Sequence, residues 1–189
     1  MSAANSPPHQ TGMFLNRIPY LKMGNGPNNL VIIRETSELF LSVGSAPEGQ
    51  YKIFKRVIPP KYTLYILGYD KNLSDSNTEE TIVDDYAKIL KDEIGPSVLM
   101  GMSYGGLNAI TLAGKYPDLV KKLILLVSAH KASEQGLILA KEWMRMVRAG
   151  ELFKLNMSFA DLFGKWIFKI LSKIMTKKNL PKKTIRLIT

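Results

Sequence analysis

The 189-residue sequence contains no cysteine and only two histidines, His9 and His130. The lack of cysteine excludes disulfide bonds and thiolate metal sites, and two histidines are too few for a histidine-rich metal cluster. A chain without disulfides suits a reducing compartment, so we expect a cytoplasmic protein. We expect neither a metal ion nor another cofactor.

Long apolar segments are absent as well. No stretch reaches the ~18 apolar residues that a membrane-spanning helix requires. The first ten residues are polar and include two prolines, without the basic and apolar regions of a signal peptide. We expect residues 1–12 to form a disordered N-terminal tail.

Acidic residues are missing from position 165 onward, where eight lysines and arginines lie. The rest of the chain holds the other 18 of the 26 basic residues and all 16 acidic ones, so most of the net charge of +10 lies near the C-terminus. An apolar content of 46% with 22% charged residues is typical of a globular protein. The length fits one domain with a sizeable core.

The clearest motif surrounds Ser103 and reads Gly101-Met102-Ser103-Tyr104-Gly105-Gly106. An apolar run precedes it and a helical pattern follows, and Gly-x-Ser-x-Gly between a strand and a helix is typical of the nucleophile elbow of serine hydrolases. The two outer glycines remove collisions between side chains that flank the tight turn. The motif predicts an exposed serine hydroxyl at the positive start of a helix. The alternative interpretation is a glycine-rich turn in which the serine caps the helix.

Two other glycine-rich motifs do not fit this stretch. The dinucleotide-binding motif requires a glycine where Ser103 stands, and a phosphate-binding loop requires Gly-Lys followed by serine or threonine. The sequence therefore favours nucleophile chemistry over nucleotide binding at this turn.

Apolar runs alternate with amphipathic segments along the first two thirds of the chain. The sequence predicts strands at 30–33, 62–67, 97–100 and 119–127, and helices at 78–94 and 104–116. This alternation predicts a parallel sheet with helices on both faces, an α/β fold. A hairpin or two short strands are expected near residues 13–22. After Ser128 the alternation stops, and helices are predicted at 133–148, 151–157 and 159–175.

The elbow and the stretch Tyr116–Leu125, which reads Tyr-Pro-Asp-Leu-Val-Lys-Lys-Leu-Ile-Leu, resemble the α/β-hydrolase superfamily. The resemblance runs from about Leu30 to Ala129. It implies a parallel-sheet α/β-hydrolase core over residues 13–130, a helical cap over 131–178 and a basic C-terminal tail over 179–189. The family's last two strands have no counterpart in the sequence.

The resemblance also implies a site. Ser103 would be the nucleophile that attacks a carboxylic-ester-like substrate and forms an acyl-enzyme. The backbone N–H of Tyr104 would donate to the oxyanion, and a second N–H would come from Glu35 or Thr36. Family members usually have His-Gly or Pro-Gly directly after the strand that corresponds to residues 30–33, where this sequence has Arg34-Glu35.

The catalytic triad of this family runs in the chain order serine, acid, histidine. His130 is the only histidine after Ser103, and it lies just past the predicted strand that follows the elbow. We therefore expect a fragment, a truncated gene product or an inactive, hydrolase-like binding module. A substitute base at His130, with Glu134 as its acid partner, is the remaining alternative. Without a base the serine hydroxyl stays protonated and is a poor nucleophile.

Two predicted surfaces favour contacts with other molecules. Without further strands, the strand at 119–127 has an unpaired apolar edge, which favours self-association. The helix at 159–175 carries an apolar stripe and a basic stripe, the latter made by Lys165, Lys169, Lys173 and Lys177. We interpret it as a cap helix over a pocket for a small apolar or acyl-type substrate. The alternative is peripheral contact with an anionic membrane, and we expect no nucleic-acid partner.

Overall fold

A computed structural model describes residues 9–34, 54, 56–70, 78–131 and 133–151, together with residues 154, 155, 157, 158 and 161. The chain divides into two compact units, one up to Lys131 and one from Ala132 onward. In the described part, the first unit contains a sheet with its helices, and the second contains a long helix.

The strands of the first unit are β1 (His9–Phe14), β2 (Ile18–Met23), β3 (Asn28–Ile33), β4 (Tyr62–Leu67), β5 (Ser97–Met102) and β6 (Val120–Leu126). They form one sheet in the order β1-β2-β4-β3-β5-β6. β4, β3, β5 and β6 are parallel to one another, as predicted. β1 and β2 add an antiparallel hairpin at one edge, so the whole sheet is mixed.

The expectation of a disordered tail over residues 1–12 is wrong for its last four residues, which lie in β1. Residues 1–8 lie outside the described part of the chain. β1 is held by antiparallel pairing along the whole of β2, and the ring of Phe14 stacks on Tyr20 at a centroid distance of 4.2 Å. The polar start of β1 carries no apolar alternation that would predict a strand, so its extended conformation depends on the pairing with β2.

Two helices of the first unit are α1 (Glu79–Ile89) and α2 (Tyr104–Lys115). Thr78 caps α1, as predicted, through a reciprocal capping box with Thr81. A π-helical turn extends α1, and Gly95 ends it at a φ of 88°. α2 ends before Pro117, as predicted, since proline disrupts a helix interior.

The turn between β1 and β2 is fastened to the rest of the first unit by Arg17. Three residues separate β1 from β2, and the first two of them, Leu15 and Asn16, have positive φ values of 52° and 58°. The Arg17 guanidinium donates to Asp70, after β4, at 2.8 Å and to Asp85, on α1, at 2.6 Å. The hydrogen bond to Asp85, followed by the bond to Asp70, raises the pKa of Arg17. The hairpin is therefore tied to both the sheet and a helix.

The two faces of the sheet bury separate apolar clusters, and β3 contributes to both. Val31 and Ile33 pack in the cluster that includes residues of α1 and α2, whereas Leu30 and Ile32 pack on the opposite face. All four are almost completely buried, as expected for a strand covered on both faces. The strand that leads to the carboxyl edge of the sheet is therefore packed from both sides.

The second unit contains α3 (Glu134–Arg148), which agrees with the predicted helix. Ser133 caps it by accepting a hydrogen bond from Gly136 N–H at 3.1 Å. Part of the predicted helix at 151–157 is also helical. The predicted helix at 159–175, with its four lysines, lies outside the described residues apart from Asp161. Among the described helices, none has the length and apolarity needed to cross a membrane.

Candidate functional site

Ser103 lies between β5 and α2, at the carboxyl edge of the sheet. Its backbone has a φ of 51° and a ψ of −122°, a conformation that residues other than glycine rarely adopt. The residue is exposed, and its side chain makes no capping hydrogen bond with α2. These observations confirm the predicted sharp strand-to-helix turn and exclude the alternative in which the serine caps the helix.

Glycines allow the turn to close. A Cβ atom on Gly101 would collide with Gly106, and one on Gly105 would collide with two backbone carbonyls at the end of β3. Collisions at positions 101 and 105 are therefore confirmed, although they involve α2 and the backbone at the end of β3 and not the side chains that flank the turn. Gly106, to which the sequence analysis assigned no role, would collide with Ser128. The first turn of α2 thus lies in direct contact with the ends of two neighbouring strands.

The backbone of Ser103 is anchored on both sides. Its N–H donates to the carbonyl of Leu126 at 3.0 Å, and its carbonyl accepts from Gly106 N–H at 2.9 Å. The hydroxyl of Ser128 also donates to the carbonyl of Ser103, at 2.7 Å. Sequence reasoning missed Ser128, although a signal existed: the carboxyl ends of parallel strands meet at one edge, and Ser128 is the second residue after β6.

Tyr104 is the first residue of α2. Backbone N–H groups in the first turn of a helix have no partner within the helix and carry its positive dipole, so the Tyr104 N–H has the character of an oxyanion donor. Burial raises the pKa of the Tyr104 phenol, and the negative charge of Glu79 raises it further. The phenol therefore stays protonated at neutral pH. The other predicted donors, Glu35 and Thr36, lie outside the described residues.

The end of β3 is held by two side chains that sequence reasoning also missed. The hydroxyl of Tyr69 donates to the carbonyl of Arg34 at 2.8 Å. The amide of Asn108, on α2, donates to the Tyr69 hydroxyl at 3.3 Å. Asn108 is completely buried, and its Oδ1 has no hydrogen-bond partner in the described part of the chain. The sequence signal that could have identified Asn108 was a single amide side chain on the buried face of a predicted helix.

His130 and Glu134 belong to different parts of the chain. His130 is exposed and lies in the first unit, two residues past Ser128, whereas Glu134 begins α3 in the second unit. Within the described residues of the first unit, no hydrogen bond joins Ser103 and His130. The substitute base therefore stays a hypothesis.

Comparison with protein families agrees with this geometry. The family model described as the alpha/beta hydrolase fold matches residues 58–167, which is more than half of the chain. The chain therefore belongs to the α/β-hydrolase family. No curated protein sequence matches it.

Solved structures show the same fold at low sequence identity. MGS-M2, an alpha/beta hydrolase from a Medee basin deep-sea metagenome library, is 18% identical, with a TM-score of 0.70 over 95% of this chain and 69% of its own. A carboxylesterase structure from Nitrososphaera gargenis is 17% identical, with a TM-score of 0.54 over 74% and 52%. A predicted CIB-like hydrolase from Thermoplasma acidophilum is 20% identical, with a TM-score of 0.52 over 66% and 64%. The chain thus spans 52–69% of the length of these proteins.

Proposed function

We propose that Ser103 is the nucleophile of a hydrolase that cleaves carboxylic esters or similar acyl compounds. The observation that carries the proposal is the exposed serine at a positive φ of 51° on the junction of β5 and α2. Membership of the α/β-hydrolase family supports it. The structural similarity to a carboxylesterase supports the fold that such a reaction requires.

In the proposed reaction, Ser103 Oγ attacks the carbonyl carbon of the ester and forms a new C–O bond. The carbonyl oxygen becomes an oxyanion, which accepts a hydrogen bond from the Tyr104 N–H. Each such donor contributes ~3 kcal/mol to transition-state stabilisation, and the second donor is proposed to come from Glu35 or Thr36. Collapse of the intermediate expels the alcohol and leaves an acyl-enzyme, which water then hydrolyses.

The reaction also requires a base for the proton of Ser103 Oγ and a donor for the departing alkoxide. An acid–histidine pair of the family's order does not follow Ser103 in the sequence. The acyl-transfer activity is therefore proposed on the condition that an acid–histidine pair lies beside Ser103. In the present sequence, the candidate base is His130.

The second unit, taken by itself, has a surface that suits an apolar or acyl-type ligand. Leu137, Ala140 and Met144 lie on one side of α3 and line an open groove of about 730 Å³, together with Lys141, Arg145 and Ala149. An apolar lining with a few cations suits an apolar body with a polar or anionic end. Contact of Lys165, Lys169, Lys173 and Lys177 with an anionic membrane stays a proposal. Co-sedimentation with anionic vesicles at low salt, lost at high salt, is its test.

The second candidate function is a catalytically inactive binding module for the same class of ligand. The exposed position of His130, without a hydrogen bond to Ser103, favours it. Under this alternative, the elbow is a structural turn and the groove on α3 is the functional surface.

A fluorophosphonate probe distinguishes the two candidates, because it forms a covalent bond with an activated serine. Under the first proposal the protein is labelled at Ser103, and Ser103→Ala abolishes the labelling. The matched control is Ser133→Ala, which removes another exposed serine and leaves the elbow intact. Absence of labelling in the unmodified protein would support the binding module and overturn the hydrolase proposal.

A further inference from the structure

The backbone at the carboxyl end of β3 is held by a side chain from the neighbouring strand. Arg34 is the first residue after β3, and Tyr69 is the second residue after β4, the parallel neighbour of β3. The Tyr69 hydroxyl donates to the Arg34 carbonyl at 2.8 Å. The same carbonyl lies against the first turn of α2, because a Cβ atom on Gly105 would collide with it. The Arg34 carbonyl is therefore a direct neighbour of the elbow.

Tyr69 is itself held from two directions. Asn108, on α2, donates its amide N–H to the Tyr69 hydroxyl at 3.3 Å. The ring of Tyr69 meets the ring of Tyr86 edge-on, with a centroid distance of 6.2 Å and an interplanar angle of 61°. Both Asn108 and Tyr86 are almost completely inaccessible to solvent. The Tyr69 hydroxyl therefore has a defined position relative to the helix that begins after Ser103.

The stability of the core does not account for Asn108. Its neighbours on the buried face of α2 are Ala109 and Leu112, and its Oδ1 is buried without a partner among the described residues. A buried acceptor without a hydrogen bond costs ~1–3 kcal/mol. An apolar side chain would avoid this cost, so the amide has a use other than core packing.

We propose that Tyr69, oriented by Asn108, is a positioning residue for acyl transfer at Ser103, an inference that rests on the proposed function. By holding the Arg34 carbonyl, the Tyr69 hydroxyl fixes the plane of the peptide unit at the end of β3. The Arg34 carbonyl already lies beside Gly105. Without the restraint it would be free to turn from there toward the developing oxyanion, where its negative end would oppose the Tyr104 N–H. Restraining the carbonyl in advance preserves the electrostatic arrangement that the transition state requires.

The test compares two single-hydroxyl deletions. Tyr69→Phe removes the hydrogen bond to Arg34, and the matched control Tyr86→Phe removes a hydroxyl that donates to the Gly68 carbonyl at 2.9 Å. The measurements are the inactivation constants kinact and KI for fluorophosphonate at Ser103, and the unfolding temperature. We expect Tyr69→Phe to lower kinact about five- to tenfold, the effect of one lost hydrogen bond, with KI unchanged. Tyr86→Phe should lower the unfolding temperature and leave kinact unchanged.

A second variant keeps the inference testable if Tyr69→Phe folds poorly. Asn108→Ala removes the support of Tyr69 together with the unpartnered Oδ1, so kinact should fall about threefold or more while stability changes little. A purely structural role would make kinact follow stability in all three variants, and that result would overturn the inference. If the unmodified protein is labelled and Tyr69→Phe has the same kinact, the role of Tyr69 is overturned while the proposed function still holds. If the probe does not label the unmodified protein, both the role of Tyr69 and the proposed hydrolase function are overturned.

Discussion

The hydroxyl of Ser128 donates a hydrogen bond of 2.7 Å to the carbonyl of Ser103. Two residues earlier, the carbonyl of Leu126 accepts the N–H of Ser103 at 3.0 Å. The residue between these two partners, Val127, has a φ of 49°, close to the value of 51° at Ser103. The unusual backbone of the elbow is therefore held by a second unusual backbone conformation at the end of β6.

Replacing Val127 by asparagine should stabilise the protein. A β-branched residue at positive φ is strained, and this one is 79% exposed, so its side chain contributes little burial. Asparagine adopts this conformation more readily, and we expect Val127→Asn to raise the free energy of unfolding by about 1 kcal/mol. Urea denaturation measures the change. Val57→Asn, at an exposed valine that is not among the positive-φ residues, should give no gain.

Gly105→Ala should destabilise the protein, because the new Cβ collides with the carbonyls of Ile33 and Arg34. Forcing an extra carbon into such a contact costs about 1–3 kcal/mol. The control lies on the same helix: a Cβ on Gly114 meets no atom within 4 Å. Gly114→Ala should therefore stabilise by about 0.5–1 kcal/mol through helix propensity. Thermal unfolding measures both effects. If the unfolding temperatures of the two variants shift in the same direction, the close approach of α2 to β3 is contradicted.

Asp84 should make stability sensitive to acid. Its carboxylate accepts hydrogen bonds of 2.7 Å from Lys115 and from Tyr116, at the end of α2. The bond from Lys115, followed by the bond from Tyr116, lowers the pKa of Asp84 below its ordinary value of 3.8. Because the folded pKa lies below the unfolded one, this stabilisation is complete above the unfolded pKa and is lost as the pH falls through the folded pKa.

The variant Asp84→Asn should therefore have a lower unfolding temperature at pH 7 and a shallower decline between about pH 5 and about pH 2. Asp92→Asn, which removes an exposed carboxylate from the turn after α1, is the control and should keep the steeper decline. Parallel curves for the unmodified protein and Asp84→Asn would show that the contact with α2 does not form.

The edge of β6 should make the chain associate with a second copy. Within the described residues β6 pairs only with β5, and Leu125 and Leu126 are each 44% exposed at its end. An unpaired apolar strand edge is a template for pairing. Light scattering should show a dimer or larger species, and Leu125→Lys should shift it toward monomer. The control variant Ile138→Lys, which changes an exposed residue of α3, should leave the size of the species unchanged. A monomer that unfolds cooperatively above ~60 °C would contradict this expectation.

Several features of this protein follow from the sequence because their causes are local. The spacing of Gly101, Ser103 and Gly105, between an apolar run and a helical pattern, predicts the turn. Thr78 and Thr81 predict the start of α1 because a capping box needs only residues three apart. The apolar run in β3 predicts a strand buried on both faces.

Other features depended on the tertiary structure because their partners lie far apart in the sequence. The hydrogen bonds Ser128–Ser103, Tyr69–Arg34 and Asn108–Tyr69 join residues that are 25, 35 and 39 positions apart. The sequence by itself determined the elbow and the order of strands and helices, through steric and hydrophobic patterns within a few residues. The fold decided which side chains hold the elbow, because hydrogen bonds between neighbouring strand ends form only when the sheet brings those ends together.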